Sequence, residues 1–207
     1  MNSFLEHLSN YQIFLASRSP RRHQLLKELG ISFELWLKEE VEESFPGDLS
    51  NEDIALHLAR IKAKPYLQEL KPKHILITAD TIVCLDSMIL GKPQGPDEAV
   101  SMLKELSGRQ HEVITGVCLS GLDKSEVFAV STCVSFSILT QDEIAHYVER
   151  YKPFDKAGSY GIQEWIGLIA VESINGSYFN VMGLPIQRLY KEIKRFTNFN
   201  PITNYYE

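Results

Sequence analysis

Cysteine is scarce in this chain: three residues in 207 (Cys84, Cys118, Cys133), odd in number, scattered, and without a CxxC pair. That usage argues against a disulfide framework and a structural zinc site, and it predicts a reducing, cytoplasmic setting. Long apolar runs are missing too. No stretch approaches the roughly 20 residues that cross a bilayer, so a membrane is not an expected partner. The opening MNSFLEHLSNYQ lacks the basic start and the apolar segment of a secretory signal. Positive charge is short overall: the formal net charge is −6. General binding of nucleic acid through its phosphates is therefore not expected. There is no GxxxxGK[ST] phosphate loop, no GxSxG nucleophile elbow and no HExxH zinc helix, and the six histidines are dispersed without ligand spacing.

What remains is the composition of an ordinary globular chain, 44% hydrophobic and 23% charged, long enough to bury one sizeable core. We read residues 1–207 as one domain, with a core over about 13–196 and a peripheral tail over about 197–207. YQIFLAS predicts a short strand, and Pro20 to Leu29 a helix with Ser19 at its N-cap, Pro20 at its first position and Gly30 past its end. ISFELWL reads as a second strand, followed by the acidic loop KEEVEESFPGD. A helix capped near Ser50 or Asn51 should end or kink before Pro65. HILITADTIVCLDSMIL reads as strand, polar step, strand, with LDSM as a hairpin turn. GPDEAVSMLKELSG predicts a helix. HEVITGVCLSGL and SEVFAVSTCVSFSIL predict a long antiparallel hairpin. TQDEIAHYVERY carries a capping box of Thr140 and Glu143. GLIAVESING reads as a strand and GLPIQRLYKEIKRF as a terminal helix. The fold class is α/β with a mixed sheet.

Four features bear on chemistry. In LASRSPRRHQLL, Arg22 precedes Leu25, Leu26 and Leu29 by three, four and seven residues and so shares their inward face. A cation at a helix start is disfavoured by the dipole, whereas an anion docked on the terminal amides is favoured. Spacing leaves the readings open: an anion site, or else a capped helix with solvated arginines or an Arg22 paired with a structural carboxylate. In ITADTIV, Asp80 interrupts an apolar strand and needs a cation, amide donors or a metal. It reads as a base or metal ligand at a strand end, or as a buried turn residue. Lys62, on a small apolar helical stripe, and Lys92, in the loop GKP, are each either ligand contacts or ordinary surface lysines. DKAGSYGIQ could let the backbone approach a ligand while Gln163 offers both a donor and an acceptor to a nucleobase edge.

Taken together, LASRSPRRHQLL, LARIKA, ADTIV, GKP, SGRQHEVITGV, FDKAGSYGIQ, INGSY and VMGLP occur in the order and spacing of the Maf family. The chain resembles that family from about Ile13 to Phe196. Maf proteins are house-cleaning nucleoside triphosphate pyrophosphatases historically linked to septum formation. The resemblance implies an inosine-triphosphatase-like fold with two lobes around a cleft, commonly a homodimer, with a divalent cation, Mg²⁺ or Mn²⁺. It implies hydrolysis between the α and β phosphates, giving the monophosphate and pyrophosphate. By motif, Asp80 matches the proton acceptor. Arg22, Lys62 and Lys92 match the phosphate-facing cations, with Ser17 in the same loop. Arg21, Thr81 and Gln163 match the positions that mark the dTTP/UTP branch. Glu43 matches an additional acid that helps Asp80 hold metal.

Some residues depart from the pattern. Arg18 stands between the two serines where a small or uncharged residue is common, and Glu164 and Trp165 follow GIQ where small residues are frequent. The expected substrates are dTTP, UTP and modified pyrimidine triphosphates. The rival expectations are the same reaction on a methylated purine triphosphate such as m7GTP, and a non-catalytic nucleotide-sensing regulator of septum formation.

Overall fold

The computed structural model describes residues 2–39 and 41–200. The chain opens with helix α1 (Ser3–Leu8), which seats Phe4 and Leu8 in the core. β1 (Gln12–Leu15) runs into α2 (Pro20–Glu28), which Gly30 closes at φ +79 with its amide on the Lys27 carbonyl. Of ISFELWL only β2 (Glu34–Leu35) is a strand. Its alternation lies at a sheet edge, where β1 offers only two residues to pair with it. α3 (Asn51–Ala63) is capped by Ser50, whose hydroxyl accepts from the Asp53 amide. Pro65 converts its continuation into a 3₁₀ turn over Lys64–Glu69.

β3 (His74–Leu85) is one unbroken strand of 12 residues. The expected polar step at Asp80 is not a break, because antiparallel pairing continues from Leu76 to Cys84 on its other flank. A turn with Asp86 at φ 53 leads to β4 (Met88–Leu90). α4 (Pro96–Leu106) is followed by the hairpin of β5 (Gln110–Ser120) and β6 (Ser125–Phe136), paired along its whole length. α5 (Gln141–Tyr151) starts with the expected Thr140–Glu143 capping box. A 3₁₀ turn (Ala157–Ser159) then leads to α6 (Trp165–Ala170). Only the second half of GLIAVESING is a strand, β7 (Val171–Asn175). The first half is drawn into α6, whose apolar Ile166 and Ala170 recur at helical spacing and are buried. α7 (Tyr178–Val181) and α8 (Ile186–Phe196) complete the described chain. The expected tail lies outside the described residues from 201 onward. Of its first residues, Thr197 is buried and Phe199 packs on Phe4 and His7.

Among the described residues the strands form one mixed sheet in the order β2-β1-β3-β5-β6-β7, with β4 also on β3. β1 is parallel to β2 and β3; the other pairs are antiparallel. The alternation of β3 sorts its side chains to two faces. Ile75, Ile77, Ala79, Val83 and Leu85 join the main core with the leucines of α2 and α4 and with Leu189 and Ile193 of α8. Leu76, Ile82 and Cys84 face α3, where Thr78 donates to the Ala59 carbonyl. α3 comes very close to the sheet at Gly116, where a Cβ would overlap the Ala55 carbonyl.

β1 and β4 share one flank of β3 and leave a gap. β1 pairs with His74–Ile77 and β4 with Val83–Leu85. Residues 78–82 face that gap, and Asp80 is its midpoint. Asp80 thus sits mid-strand and not at a strand end as expected, yet it still opens on a crevice, because the chain leaves β1 there for α2.

Candidate functional site

A cleft of about 660 Å³ opens at this gap. Its lining includes every residue expected in the site: Ser17, Arg21, Arg22, Glu43, Lys62, Asp80, Thr81, Lys92 and Gln163. Residues up to 146 positions apart (Ser17 to Gln163) are brought together by the sheet and the helices on its two faces.

One wall is α3 and the acidic loop. The ammonium of Lys62, in the last turn of α3, contacts Asp80 Oδ1 and lies 2.9 Å from Glu43 Oε1. Lys62 therefore shares its charge between two carboxylates from different parts of the chain. This is possible because Asp80 points to the α3 face of β3, like Leu76 and Ile82. The Asp80 side chain lines the cleft and retains 12% exposure, so water can reach it.

The opposite wall is the start of α2. Arg22 is turned inward, as its spacing with Leu25 and Leu26 predicts, and its donors are spread over four acceptors. Nε donates to the Gly183 carbonyl at 2.7 Å, and Nη1 to the Ala79 carbonyl at 2.8 Å and the Ser17 hydroxyl at 3.4 Å. Nη2 donates to Thr81 Oγ1 at 3.0 Å. The Ala79 carbonyl is the group that the gap beside β3 leaves without a strand partner. All four acceptors are neutral, and no described carboxylate touches the guanidinium. Burial lowers the Arg22 pKa, with the charge of Asp80 opposing that shift and Arg21 adding to it. Of the alternatives to an anion site, neither a fully solvated Arg22 nor a carboxylate partner is found among the described residues: neutral groups of the protein take its donors.

Ser17 does more than accompany Arg22: its hydroxyl also accepts from the Ser19 amide at 3.2 Å. Ser19 has N-cap backbone angles but makes no side-chain cap. The Ser17 bond satisfies the amide of Ser19 itself, not the helix amides that a Ser19 cap would have met. Thr81 lies on the other face of β3 from Asp80, and its hydroxyl meets Thr115 Oγ1 at 2.9 Å. Arg18 Nη2 donates to the Lys38 carbonyl at 3.2 Å, tying the loop after β1 to the loop after β2. Lys92 and Gln163 are exposed and make no polar side-chain contact among the described residues.

Around Gln163 lies an ion-pair chain in which sequence reasoning marks Arg21 and Glu164 but not Asp155 or Lys156. Arg21 pairs with Asp155 at 3.2 Å. Asp155 also pairs with Lys156 at 2.7 Å, and Lys156 reaches Glu164 at 3.1 Å. Burial pushes the Asp155 carboxyl up, but Lys156 and Arg21 together outweigh it and hold it below the usual range. The available signal was a lysine inside FDKAGSYGIQ, with a glutamate right after its glutamine. Below the same turn, His111 Nε2 lies 2.8 Å from the Tyr160 hydroxyl, and His111, Tyr160 and Phe136 pack edge to face.

Comparison with known proteins places this cleft among relatives. The family model described as "Maf-like protein" matches residues 12–196. A protein of Bacteroides fragilis named dTTP/UTP pyrophosphatase is 53% identical over 191 residues, covering 92% of this chain and 99% of its own. One of Porphyromonas gingivalis with the same name is 49% identical over 198 residues, covering 95% of this chain and 100% of its own. Among solved structures, a HAM1 protein from Coxiella burnetii superposes with a TM-score of 0.53 at 12% identity, covering 89% of this chain and 99% of the other. At that identity the likeness concerns the fold.

Proposed function

This chain belongs to the Maf family, and from that premise we propose that it hydrolyses dTTP and UTP to the nucleoside monophosphate and pyrophosphate, removing unwanted pyrimidine triphosphates from the nucleotide pool. The observation that carries the reading is Arg22: a half-buried guanidinium on the cleft wall, held by neutral acceptors and touched by no described carboxylate. A triphosphate supplies the negative charge that this wall lacks. The shared name of the relatives favours the pyrimidine substrates over a methylated purine, and favours an enzyme over a non-catalytic regulator.

Water adds across the α–β anhydride, one P–O bond forms as another breaks, and the water's proton passes to the Asp80 carboxylate. Asp80 suits this role because it is fixed mid-strand yet open to the cleft. Lys62, already resting on two carboxylates, turns to a phosphate oxygen with a small movement of a flexible stem, and Lys92 reaches in from its loop. Arg22 stays where its four acceptors hold it, so its charge needs no rearrangement as the transition state forms. Arg21, Thr81 and Gln163 select the nucleotide.

The donor set also fits a divalent cation. Glu43 and Asp80 present oxygens to one shared ammonium, and Mg²⁺ or Mn²⁺ commonly takes one or two carboxylates and completes its shell with phosphate and water. Among the described residues no larger group of three or more His, Cys, Asp or Glu side chains could hold the cation. Bound there, it supplies neutralisation of phosphate charge. Residues 1–207 act as one domain in this reading, in the cytoplasm, where the free Cys84, Cys118 and Cys133 stay reduced. No described helix is long and apolar enough to cross a membrane. A homodimer is supported by the exposed Ile138 and Leu168, which flank the start of the edge strand β7.

The test is product identification after incubation with dTTP, UTP and a panel of other triphosphates with Mg²⁺ or Mn²⁺. Monophosphate and pyrophosphate are expected; orthophosphate and diphosphate would overturn the reaction. Asp80→Asn is expected to lower turnover by about 10²- to 10⁴-fold while nucleotide still binds. Near-normal turnover would remove Asp80 as the base.

A further inference from the structure

Gln163 makes no polar contact of its own, yet the residues on either side of it are held tightly. Its amide can select a base only if its backbone stays still, and the structure shows what keeps it so. The Tyr147 ring, fully buried in α5 and stacked on Tyr151 at 5.0 Å, directs its hydroxyl under the turn. That oxygen accepts from the Gly161 amide at 3.0 Å and donates to Glu164 Oε2. The second oxygen of Glu164 takes the buried Lys156 ammonium at 3.1 Å, and Lys156 in turn holds Asp155, the partner of Arg21. A side chain on Gly161 would break this packing: a Cβ would lie 2.8 Å from Cδ of Glu164 and 3.0 Å from Cε of Lys156. Burial and the bond to Glu164 raise the Tyr147 pKa, so its hydroxyl keeps the proton it donates.

We infer that Tyr147, Lys156 and Glu164 form a buried brace that positions Gln163, and through Asp155 also Arg21, so that base selection depends on residues that do not touch the base. The inference rests on the pyrimidine triphosphatase reading and assigns Glu164, one of the departures from the family pattern, a positioning role. The Tyr147 hydroxyl, the Glu164 carboxylate and the Lys156 ammonium are bonded in a chain that ends on the Gly161 amide and on Asp155, and such a linked set holds the turn that carries the exposed amide. Removing Glu164 takes away the acceptor of the Tyr147 hydroxyl and one of the two carboxylates on the buried Lys156 ammonium, and the turn shifts as they find replacements. A shift of about 1 Å at a recognition group costs up to roughly a hundredfold in specificity.

Steady-state kinetics on dTTP, UTP, ATP, GTP and CTP test it, with melting temperatures as a check on folding. Glu164→Ala is expected to raise KM for dTTP and UTP and to cut the preference for them by about tenfold or more, with kcat falling much less. Tyr147→Phe, which keeps the buried ring, should act in the same direction. Glu164→Gln keeps an acceptor for the Tyr147 hydroxyl and should recover part of the preference. In a Gln163→Ala background each substitution should reduce the preference less than in the unaltered protein, since only the part that acts through Arg21 remains. An equal loss on all five triphosphates, unaltered preference in the variants, or a loss of preference as large without Gln163 as with it would each overturn the brace. Inactivity of the unaltered protein toward both pyrimidine triphosphates would instead overturn the parent reading, and the brace with it.

Discussion

At the scale of single residues, Arg22 shows how one side chain is both structural and functional. Its planar fork meets carbonyls from Ala79 and Gly183 and hydroxyls from Ser17 and Thr81, so three separate segments depend on it. Lysine keeps the charge but cannot span those directions. Arg22→Lys is expected to leave buried carbonyls unpaired at a cost of about 1–3 kcal/mol, read as a lower urea midpoint. The same variant should lose on the order of a hundredfold in kcat/KM, because the remaining cation is no longer held in place for the developing charge. A variant with full activity and a lowered midpoint would show Arg22 to be purely structural.

At the scale of elements, the site depends on how closely α3 approaches the sheet. Lys62 reaches Asp80 because nothing but hydrogen stands between Gly116 on β5 and the backbone of Ala55 on α3. Thr78 fixes the same helix by donating to the Ala59 carbonyl at 2.7 Å. Gly116→Ala is expected to push α3 outward, at a cost of about 1–3 kcal/mol from overpacking. Turnover should fall with it, because Lys62 and Asp80 ride on the two elements being separated. The check is a denaturant midpoint measured beside kcat/KM; a stable variant with full turnover would mean that the helix tolerates the methyl.

For the molecule as a whole, the buried His111 links pH to stability. Burial lowers its pKa from 6.5 to about 4. Between those values the unfolded chain binds a proton that the folded chain refuses, so stability falls as pH drops from about 6.5 toward 4. The loss is complete below the folded value and amounts to on the order of 3 kcal/mol. His111→Gln should flatten that part of the stability profile, measured by urea titration across the range. An unchanged slope would place the acid sensitivity elsewhere. Because His111 packs under Tyr160, which lines the cleft, the same acid range should loosen the turn that carries Gln163.

What the sequence determined by itself is whatever is decided within a few residues. Pro20 and Gly30 bound α2, Ser50 caps α3, Thr140 and Glu143 close their capping box, and β5 and β6 meet across a four-residue turn because their neighbours in the chain suffice. The motif order likewise marked Asp80, Lys62, Arg22 and Gln163 before any of them had a position in space. Tertiary structure decided the rest. ADT reads as a break, but β5 pairs straight past it; GLIA reads as strand, but burial of Ile166 and Ala170 makes it helix. Local spacing shows which way Arg22 faces, but not that its partners come from Ala79 and Gly183, 57 and 161 residues away. The same holds for Lys156 and Glu164, whose significance depends on a tyrosine of α5 meeting them under one turn. Caps and turns are local bonds, legible wherever their residues stand together. A buried charge is defined by the partners that exclude water from it, and only the folded chain brings those together.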